Sequence, residues 1–323
     1  GLLDKYPDGK VTVRVVDEQG VPLKDVDVGI GVNFPKTTNP FDGQRSESIK
    51  GKTDNASLFA SEFKALSRIV VWADSQSYYR SYKNFDFKSP VDGKYQPWNP
   101  TIDLVLRKKV NPVPMYAKKF NDIIIPVVSE PVGYDLLMGD WVKPRGKGEL
   151  GDVIFTLKRE FKDESNFEST LEVSMPNEAE GFSAITSDMM IPESEFKFPR
   201  EAPVEGYVKS LLLSYSASSA TPNDSGFVSG YKRTSSLIAS DYFIRIRLQS
   251  DDKGNTVRAI YGKIAGPIEY RIQECKTATI RFTYYINPDG TRNIEFDPTK
   301  NLFIPKGANK SRFEYDSYNI SQP

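Results

Sequence analysis

The chain of 323 residues contains no histidine. Ser-His-Asp and Cys-His nucleophile systems therefore cannot be assembled, and neither can zinc sites that use imidazole. Cys275 is the only cysteine, which excludes an internal disulfide and a thiolate zinc site. We interpret it as a small apolar residue beside a strand. The side chains are left with the chemistry of carboxylates, lysine, tyrosine and oxygen-ligand metals.

The sequence also lacks an excess of charge of either sign and a long apolar run. Lys and Arg number 43, as do Asp and Glu, so the formal net charge is zero. A balanced chain has no electrostatic tendency to bind nucleic acid, and we expect none as a partner. No apolar run approaches the roughly 18 residues of a membrane helix, so no transmembrane segment is expected. We expect no cofactor and no metal, since the acidic turn at 250–255 lacks the spacing of a calcium loop.

Short strand patterns recur along the chain, and helical periodicity is scarce. "KVTVRVVD" places Val11, Val13 and Val15 on one face, and "VDVGIGV" does the same for the branched residues that follow. Glycine and proline, 22 of each, supply turns between such runs. Many short strands with regular turn signals predict an all-β sandwich or barrel.

A domain boundary is predicted within "RKKVNPVPMY", at 107–116. Three cations are followed by two prolines, which favour extended backbone and cannot donate to a strand ladder. We predict a first domain over residues 1–110 and a larger all-β domain over residues 111–323, an antiparallel sandwich or barrel of unknown function.

The stretch "VVDEQGVPLKDVDVGI" predicts a hairpin turn between two strands. Gly20 can take the positive φ that such a turn requires, and Pro22 fixes φ just before the second strand. With "GKTDNASLFASEF" and "SRIVVWADSQSYY", this stretch resembles the carboxypeptidase regulatory-like domain, a transthyretin-like (Ig-like) β-sandwich. The matching positions over about residues 10–108 are Asp17, Gly20, Pro22, Leu23, Val26, Val28, Thr53, Asp54 and Phe59.

Ser57 departs from this family, which has glycine there, and we therefore expect that turn to be built differently. The resemblance implies an accessory module on a secreted or cell-envelope protein, most often a bacterial one. The C-terminal part, with turns at "DDKGN" and "NPDGT", reads as two hairpins with Gly254 and Gly290 at positive φ. The sequence of this part resembles that of uncharacterised envelope proteins of gut bacteria.

Aromatic residues provide the first candidate binding site. Flat rings stack on the apolar faces of sugars, while nearby polar groups bind the hydroxyls. The alternative is an ordinary sandwich core and strand edge, since aromatic residues are common in strands. The glycan-binding candidates are Trp72, Tyr78, Tyr79, Tyr82 and Trp98.

The segment "NFPKTTNPFDGQRSESIK", at 33–50, is predicted to be a long loop. Loops of this length are often functional, and Phe34 and Phe41, each beside a proline, are candidate anchors for a partner. A flexible surface loop and an extra strand are the alternatives.

Carboxylates gather in "MPNEAEGFSAITSDMMIPESEF". A pair facing each other across a cleft performs glycoside hydrolysis, one as acid and the other as nucleophile or base. Strand alternation places Glu193 and Glu195 on the same face, which is also the pattern of a solvated strand. The candidates are Glu178, Glu180, Asp188, Glu193 and Glu195.

These features favour an exported, non-catalytic cell-surface protein that binds glycan or a protein partner. A structural spacer without a ligand and a carboxylate-based glycoside hydrolase are the alternatives. Whether the chain is an enzyme is left open by the sequence, although the missing histidine favours a protein without catalysis.

Overall fold

The computed structural model of this protein describes residues 5–218, 231–235, 239–274 and 276–323, and Cys275 lies outside them. Regular structure in this part of the chain consists almost entirely of strands, with short 3₁₀ turns at Pro40–Asp42, Ser187–Met189 and Phe313–Tyr318. The predicted all-β class is confirmed.

The chain divides into two compact units. The first contains Gly1–Asn111 together with Ile191–Lys197, and the second contains Pro112–Met190 and Phe198–Pro323. The division after residue 111 lies one residue from the boundary that the sequence predicts. The return of residues 191–197 to the first unit is a feature that the sequence analysis missed.

Two sheets form the first unit. One has the order β6-β10-β1-β9-β8, with β4 also paired to β1, and the other has the order β3-β2-β5-β7. The strands are β1 (Asp8–Asp17), β2 (Asp27–Pro35), β3 (Gln44–Lys52), β4 (Leu58–Lys64), β5 (Arg68–Asp74), β6 (Tyr78–Tyr79), β7 (Ser81–Asp86), β8 (Lys88–Val91), β9 (Lys94–Gln96) and β10 (Thr101–Lys108).

The core of the first unit lies between these sheets because each strand alternates apolar and polar residues. Val11, Val13 and Val15 of β1 are completely buried, and they share one cluster with Val28 and Ile30 of β2. Each contributes its whole side chain to the core, worth about 1.5–3 kcal/mol per residue relative to exposure. The hydrophobic pattern thus fixes which face of each strand turns inward.

The predicted loop at 33–50 is wrong in most of its length. Residues 44–52 form strand β3, which pairs antiparallel with β2 from Asp27↔Lys52 to Pro35↔Gln44. Only 36–43 connect the two strands. β3 is the extra strand that the sequence analysis gave as an alternative. Its side chains are almost all exposed and polar, so no apolar alternation in the sequence favoured that alternative.

The turn at Ser57 also differs from expectation. Ser57 has φ 63°, in the left-handed region that favours glycine, so the turn adopts this backbone without a glycine. The amides of Ala56 and Leu58 donate to Oδ1 of Asp54 at 2.8 and 3.0 Å. These bonds hold the residue between them in the strained conformation.

Two further sheets form the second unit, with the orders β16-β19-β20-β21-β11-β22 and β13-β12-β14-β15-β17-β18. Its strands are β11 (Val113–Ile124), β12 (Pro131–Asp135), β13 (Asp140–Trp141), β14 (Val153–Asp163), β15 (Asn166–Ser174), β16 (Gly181–Ile185), β17 (Ser210–Ala217), β18 (Tyr231–Ser235), β19 (Asp241–Ser250), β20 (Thr256–Gln273), β21 (Lys276–Asn287) and β22 (Phe296–Asn301).

One large cluster fills the second unit and takes side chains from both sheets. Phe155 and Leu157 of β14 share it with Ile244 of β19 and with Phe282 and Tyr284 of β21. Buried side chains of both sheets meet in this cluster, which is the arrangement of a β-sandwich. The larger domain is therefore a sandwich, one of the two predicted architectures.

Of the two predicted C-terminal hairpins, one is present. β19 and β20 pair antiparallel around the turn at 251–255, as predicted. The second is wrong, since β22 pairs in parallel with β11 and β21 pairs with β20 and β11. Gly254 and Gly290 both have positive φ, at 81° and 84°. The turn that contains Gly290 could be predicted from the sequence, whereas the pairing of the following strand, β22, could not.

Candidate functional site

The sheet β3-β2-β5-β7 presents one face to the core and the opposite face outward. In β5, Ile69, Val71 and Ala73 are buried, so the intervening Trp72 points away from the core. Trp72 pairs with Gly29 of β2 on one side and Tyr82 of β7 on the other. We call the outward surface formed by Gly29, Gly31, Trp72 and Tyr82 the aromatic face.

Two glycines allow the indole of Trp72 to lie flat on the sheet. A Cβ atom at Gly29 would sit 2.0 Å from Cζ2 of the indole, and one at Gly31 would sit 3.3 Å from Cζ3. No real Cβ approaches as closely as the first of these distances. The ring therefore extends from β5 across β2, and its extended position depends on the missing side chains of β2.

Tyr82 and Arg80 complete this part of the surface. Tyr82 lies opposite Trp72 and is 52% exposed. The guanidinium carbon of Arg80 lies 5.3 Å from the centre of the Trp72 ring, within the range of a cation–π contact. An exposed tyrosine, a flat indole and an arginine thus lie side by side on one sheet face.

Residues of the distant segment Ile191–Lys197, which we call the added strand, are extended along the edge of β7 and pair with it through one isolated bridge. Ser194 forms an antiparallel bridge with Ser81. The amide of Tyr82 donates to the carbonyl of Glu193, and the amide of Glu195 donates to the carbonyl of Arg80, both at 2.9 Å. These backbone bonds pair the edge of β7 that the sheet would otherwise leave open.

Phe196 anchors the added strand. Its side chain is completely buried and its ring lies 5.3 Å from the ring of Tyr79. The buried Arg107 stacks its guanidinium 4.3 Å from the Phe196 ring and donates from Nη1 to the Phe196 carbonyl at 2.5 Å. Arg107 also donates to Oε1 of Glu18 at 2.9 Å, so its charge is paired.

The two carboxylates of the added strand differ in their exposure. Ser194 and Phe196 are buried, Glu195 between them is partly exposed, and the side chain of Glu193 is only 9% exposed. Glu193 lies opposite Tyr82, and its carboxylate is 3.5 Å from Nζ of Lys83. Glu195 lies opposite Arg80. Lys83 lies opposite the buried Val71, on the inward side of β7, so of the two glutamates only Glu195 is open to the outward side.

The other aromatic candidates lie in other parts of the first unit. Tyr78 packs against the core cluster, Tyr79 is buried beneath Phe196, and Trp98 lies under Nζ of Lys94 at 4.8 Å. Of the seven aromatic candidates, the structure brings only Trp72 and Tyr82 together on the aromatic face. The clustering of the others in sequence reflects the passage of the chain from one sheet to the other.

The two phenylalanines proposed as anchors differ from each other. Phe34 is only 5% exposed and belongs to the core, with Arg45 stacked 5.3 Å from its ring, so it is not available as an anchor. Phe41 is 93% exposed within the turn Pro40–Asp42. The side chain of Asn39 accepts a hydrogen bond from the Phe41 amide at 3.1 Å, which defines the backbone at this tip.

The remaining carboxylate candidates lie in the second unit and do not face one another as a pair. Glu178 is exposed and pairs with Lys209 at 2.5 Å, and Asp188 is exposed in a 3₁₀ turn. Glu180 is buried and accepts from Asn177 and from the Leu248 amide, both at 2.9 Å. Its Oε2 atom has no hydrogen-bond partner.

Glu180 lines an open cleft of about 340 Å³ with Asp152 and Arg247. Asp152 is tied to Arg247, whose Nε and Nη2 donate to it at 2.8 and 3.0 Å. Burial raises the pKa of Asp152, while the Arg247 guanidinium and the Leu136 amide favour its charged form. Arg247 also donates to Asp135 at 3.0 Å. This network joins the chain before β14 to β19 and is a structural ion-pair arrangement.

Sequence reasoning missed the residues that shape the aromatic face. Gly29 and Gly31 lie within an alternating strand pattern and were not identified as residues of a site. Arg80 and Asp74 have the appearance of ordinary solvated charges. The available signal was the pair of glycines at i and i+2 in β2, because glycine within a strand often marks a close approach of another group.

No helix in the described residues is long and apolar enough to cross a membrane. Within the same residues, no group of three or more acidic or cysteine side chains is placed to hold a metal ion.

No protein-family model matches this chain, and no curated protein matches it either. The resemblance to the carboxypeptidase regulatory-like family therefore stays a prediction. A shaft pilin from Lactobacillus rhamnosus GG is 13% identical with a TM-score of 0.22, the match covering 55% of this chain and 91% of the pilin.

The major pilin of Corynebacterium diphtheriae is 10% identical with a TM-score of 0.25, covering 81% of this chain and 61% of the pilin. A candidate carbohydrate-binding protein from Bacteroides uniformis is 11% identical with a TM-score of 0.16, covering 86% and 96%. Similarity at this level carries no argument about what this chain does.

Proposed function

We propose that this chain is an exported, non-catalytic cell-surface protein that binds glycan through the aromatic face. The observation that carries the proposal is the indole of Trp72 lying flat over Gly29 and Gly31, next to the half-exposed Tyr82. A sugar ring presents C–H groups on one face, and these pack against flat aromatic rings. Polar side chains at the rim then bind the hydroxyls.

Arg80 shares the outer side of the indole with a bound ligand. Its side chain is exposed, and its guanidinium offers five N–H donors in a planar fork. A saccharide that stacks on Trp72 displaces the guanidinium sideways, where it donates to sugar hydroxyls. The stacking contact and the polar contacts are therefore made by neighbouring side chains.

Location at the cell surface is supported by the sequence resemblance, which is to accessory modules of exported proteins. Asp17, Gly20, Pro22 and Leu23 form the turn that carries this resemblance, and Gly20 has φ 79°. Labelling intact cells of the source organism with a membrane-impermeant reagent tests the location. Labelling only after lysis would contradict it.

A glycan array probed with the full chain tests the binding function. We expect binding without hydrolysis, and loss of that binding in Trp72→Ala and Tyr82→Ala. Phe41→Ala is the matched control, because Phe41 is an exposed aromatic residue of the same unit away from the aromatic face. Its array profile should equal that of the wild type.

The other outcomes identify the alternatives. Product formation from the bound glycans would show a glycoside hydrolase. Binding that survives Trp72→Ala but not Phe41→Ala would move the site to the tip at Pro40–Asp42. An array without any signal would favour a structural spacer.

A further inference from the structure

We infer that the aromatic face selects uncharged saccharides over acidic ones, and that Glu195 of the added strand is a specificity-determining residue. This inference rests on the proposed function, because it concerns the ligand of the same face. It arises from a row of charged side chains that the added strand completes next to Trp72 and Tyr82.

The register of the strands places Asp74, Arg80 and Glu195 in this row. Ala73 pairs with Ser81, and Ser81 pairs with Ser194, all three directed toward the buried side. The next residues along each strand therefore lie opposite one another on the outward side. The 2.9 Å bond from the Glu195 amide to the Arg80 carbonyl confirms the last pairing. Neighbouring strands are about 5 Å apart, so a single sugar residue spans two members of the row.

Each member of the row suits a sugar hydroxyl. Ionised carboxylates accept hydrogen bonds from hydroxyl groups, and the arginine donates to hydroxyl oxygens. Within the described residues Arg80 forms no ion pair, so its donors are available. Its guanidinium lies over the Trp72 ring, and a stacked saccharide displaces it to the rim. A pair of acceptors flanking a donor, beside a stacking platform, matches the adjacent hydroxyls of a neutral hexose.

The remaining charges of the surroundings are mostly paired with one another. Lys52 lies 3.1 Å from Asp27, Arg68 lies 3.7 Å from Asp86, and Lys83 lies 3.5 Å from Glu193. Lys50 lies on β3, opposite Gly29, and is thus three strands from Tyr82, with roughly 15 Å between the two backbones. The cations are therefore either compensated or remote from Tyr82.

An acidic sugar at Tyr82 meets an unfavourable field. Its carboxylate would lie close to Asp74 and Glu195, which flank Arg80 on its two sides. Like charges a few ångströms apart repel, and the repulsion weakens as salt is added. The added strand supplies one of these two carboxylates, Glu195, and burial of Ser194 and Phe196 holds the strand in place.

Matched ligands test the inference. Neutral oligosaccharides that bind the full chain on an array are each compared, by titration calorimetry, with the same oligosaccharide oxidised at C6 to the uronate. We expect the uronates to bind at least about fivefold more weakly at low salt, and the difference to shrink at high salt. Glu195→Ala should weaken binding of the neutral form by about tenfold through loss of a charged hydrogen-bond acceptor.

Glu195→Gln separates charge from hydrogen bonding. The variant should bind the neutral oligosaccharide with an affinity within about threefold of the wild-type affinity, and it should discriminate less against the uronate. Glu62→Gln is the control, since Glu62 pairs with Lys10 on the other sheet of this unit. The inference is overturned if uronates bind as tightly as neutral sugars, or if the Glu195→Ala protein binds like wild type. In either case, binding that depends on Trp72 would still support the proposed function. If no oligosaccharide binds wild type better than Trp72→Ala, both fail.

Discussion

Ser57 takes a conformation that usually requires glycine. Its φ is 63° and its hydroxyl is buried without a hydrogen-bond partner. Both features cost free energy, the first through contact of Cβ with the backbone and the second through loss of water. The neighbouring bonds to Asp54 oppose this cost and preserve the turn.

Ser57→Gly should therefore stabilise the first unit, by about 1 kcal/mol. Urea unfolding of the full chain, followed by the tryptophan fluorescence of the first unit, measures the change. Ser48→Gly is the control, because Ser48 lies in β3 without positive φ, and glycine there should destabilise slightly. A lower midpoint for Ser57→Gly would show that the hydroxyl or the Cβ contributes favourable contacts.

Gly29 determines the shape of the aromatic face because it lacks a side chain. A methyl group there would overlap the indole of Trp72, which is the far end of a side chain on the outer surface of the sheet. The indole can lift from the sheet more easily than the two strands can separate. The geometry of the platform, rather than the fold, is thus sensitive to this residue.

Gly29→Ala should tilt Trp72 into solvent, shift the tryptophan emission to longer wavelength and weaken glycan binding by more than about tenfold. The unfolding midpoint should change little. The same substitution in a Trp72→Phe background is the control, in which no emission shift is expected because Trp98 and Trp141 are elsewhere. A large loss of stability with unchanged emission would mean that the strands move instead of the ring.

At the scale of elements, one turn recurs and was the easiest feature to predict. Asp17, Asp54 and Asp251 each accept hydrogen bonds at Oδ1 from the amides two and four residues later. The residue three positions after each aspartate has positive φ, namely Gly20, Ser57 and Gly254. Where this residue is glycine the turn could be recognised from the sequence. Where it is serine, the turn was judged different, because the sequence shows the residue type and not the bonds that force its backbone.

The position of the added strand in the fold could not be predicted from the sequence. The alternation in "IPESEFK" predicts a common face for Glu193 and Glu195, but only Glu195 is open to the outward side. The destination of the segment depends on the open edge of β7 and on the site for Phe196 between Tyr79 and Arg107. Contacts between residues so distant in the sequence leave no periodic signal in either partner. The same reason explains the missed parallel pairing of β22 with β11.

Phe196→Ala should destabilise the first unit by about 3 kcal/mol or more, since its ring is completely buried between Tyr79 and Arg107. Phe41→Ala, which truncates the same residue type at a position that is 93% exposed, should leave the midpoint almost unchanged. Denaturant unfolding monitored at Trp72 measures both. Equal midpoints for the two variants would mean that the first unit does not depend on residues 191–197.

At the scale of the whole molecule, both units are sandwiches built from strands that alternate, and this much follows from hydrophobic pattern and composition. They differ in the polar groups that they bury. Burial raises the pKa of many tyrosines in the second unit, and a hydrogen bond from Tyr284 to the Leu136 carbonyl at 2.8 Å shows how such a phenol is held in its neutral form. The residues are Tyr134, Tyr207, Tyr270, Tyr284, Tyr285 and Tyr318.

The second unit should consequently lose stability in alkali. An unfolded tyrosine ionises near pH 10, and the folded phenols hold their protons to higher pH, so the unfolded state loses protons first as pH rises. The contribution to stability is complete below pH about 10 and falls above it. Urea unfolding at several pH values between 8 and 11, read by far-UV circular dichroism, should show midpoints that decrease above pH 10. Tyr285→Phe is the matched variant, because burial raises the pKa of Tyr285 and the phenol donates to the Gln322 carbonyl at 3.2 Å. It removes one of these groups and should make the decline less steep by about one proton. An identical decline in this variant and the wild type would show that other groups cause the alkaline unfolding.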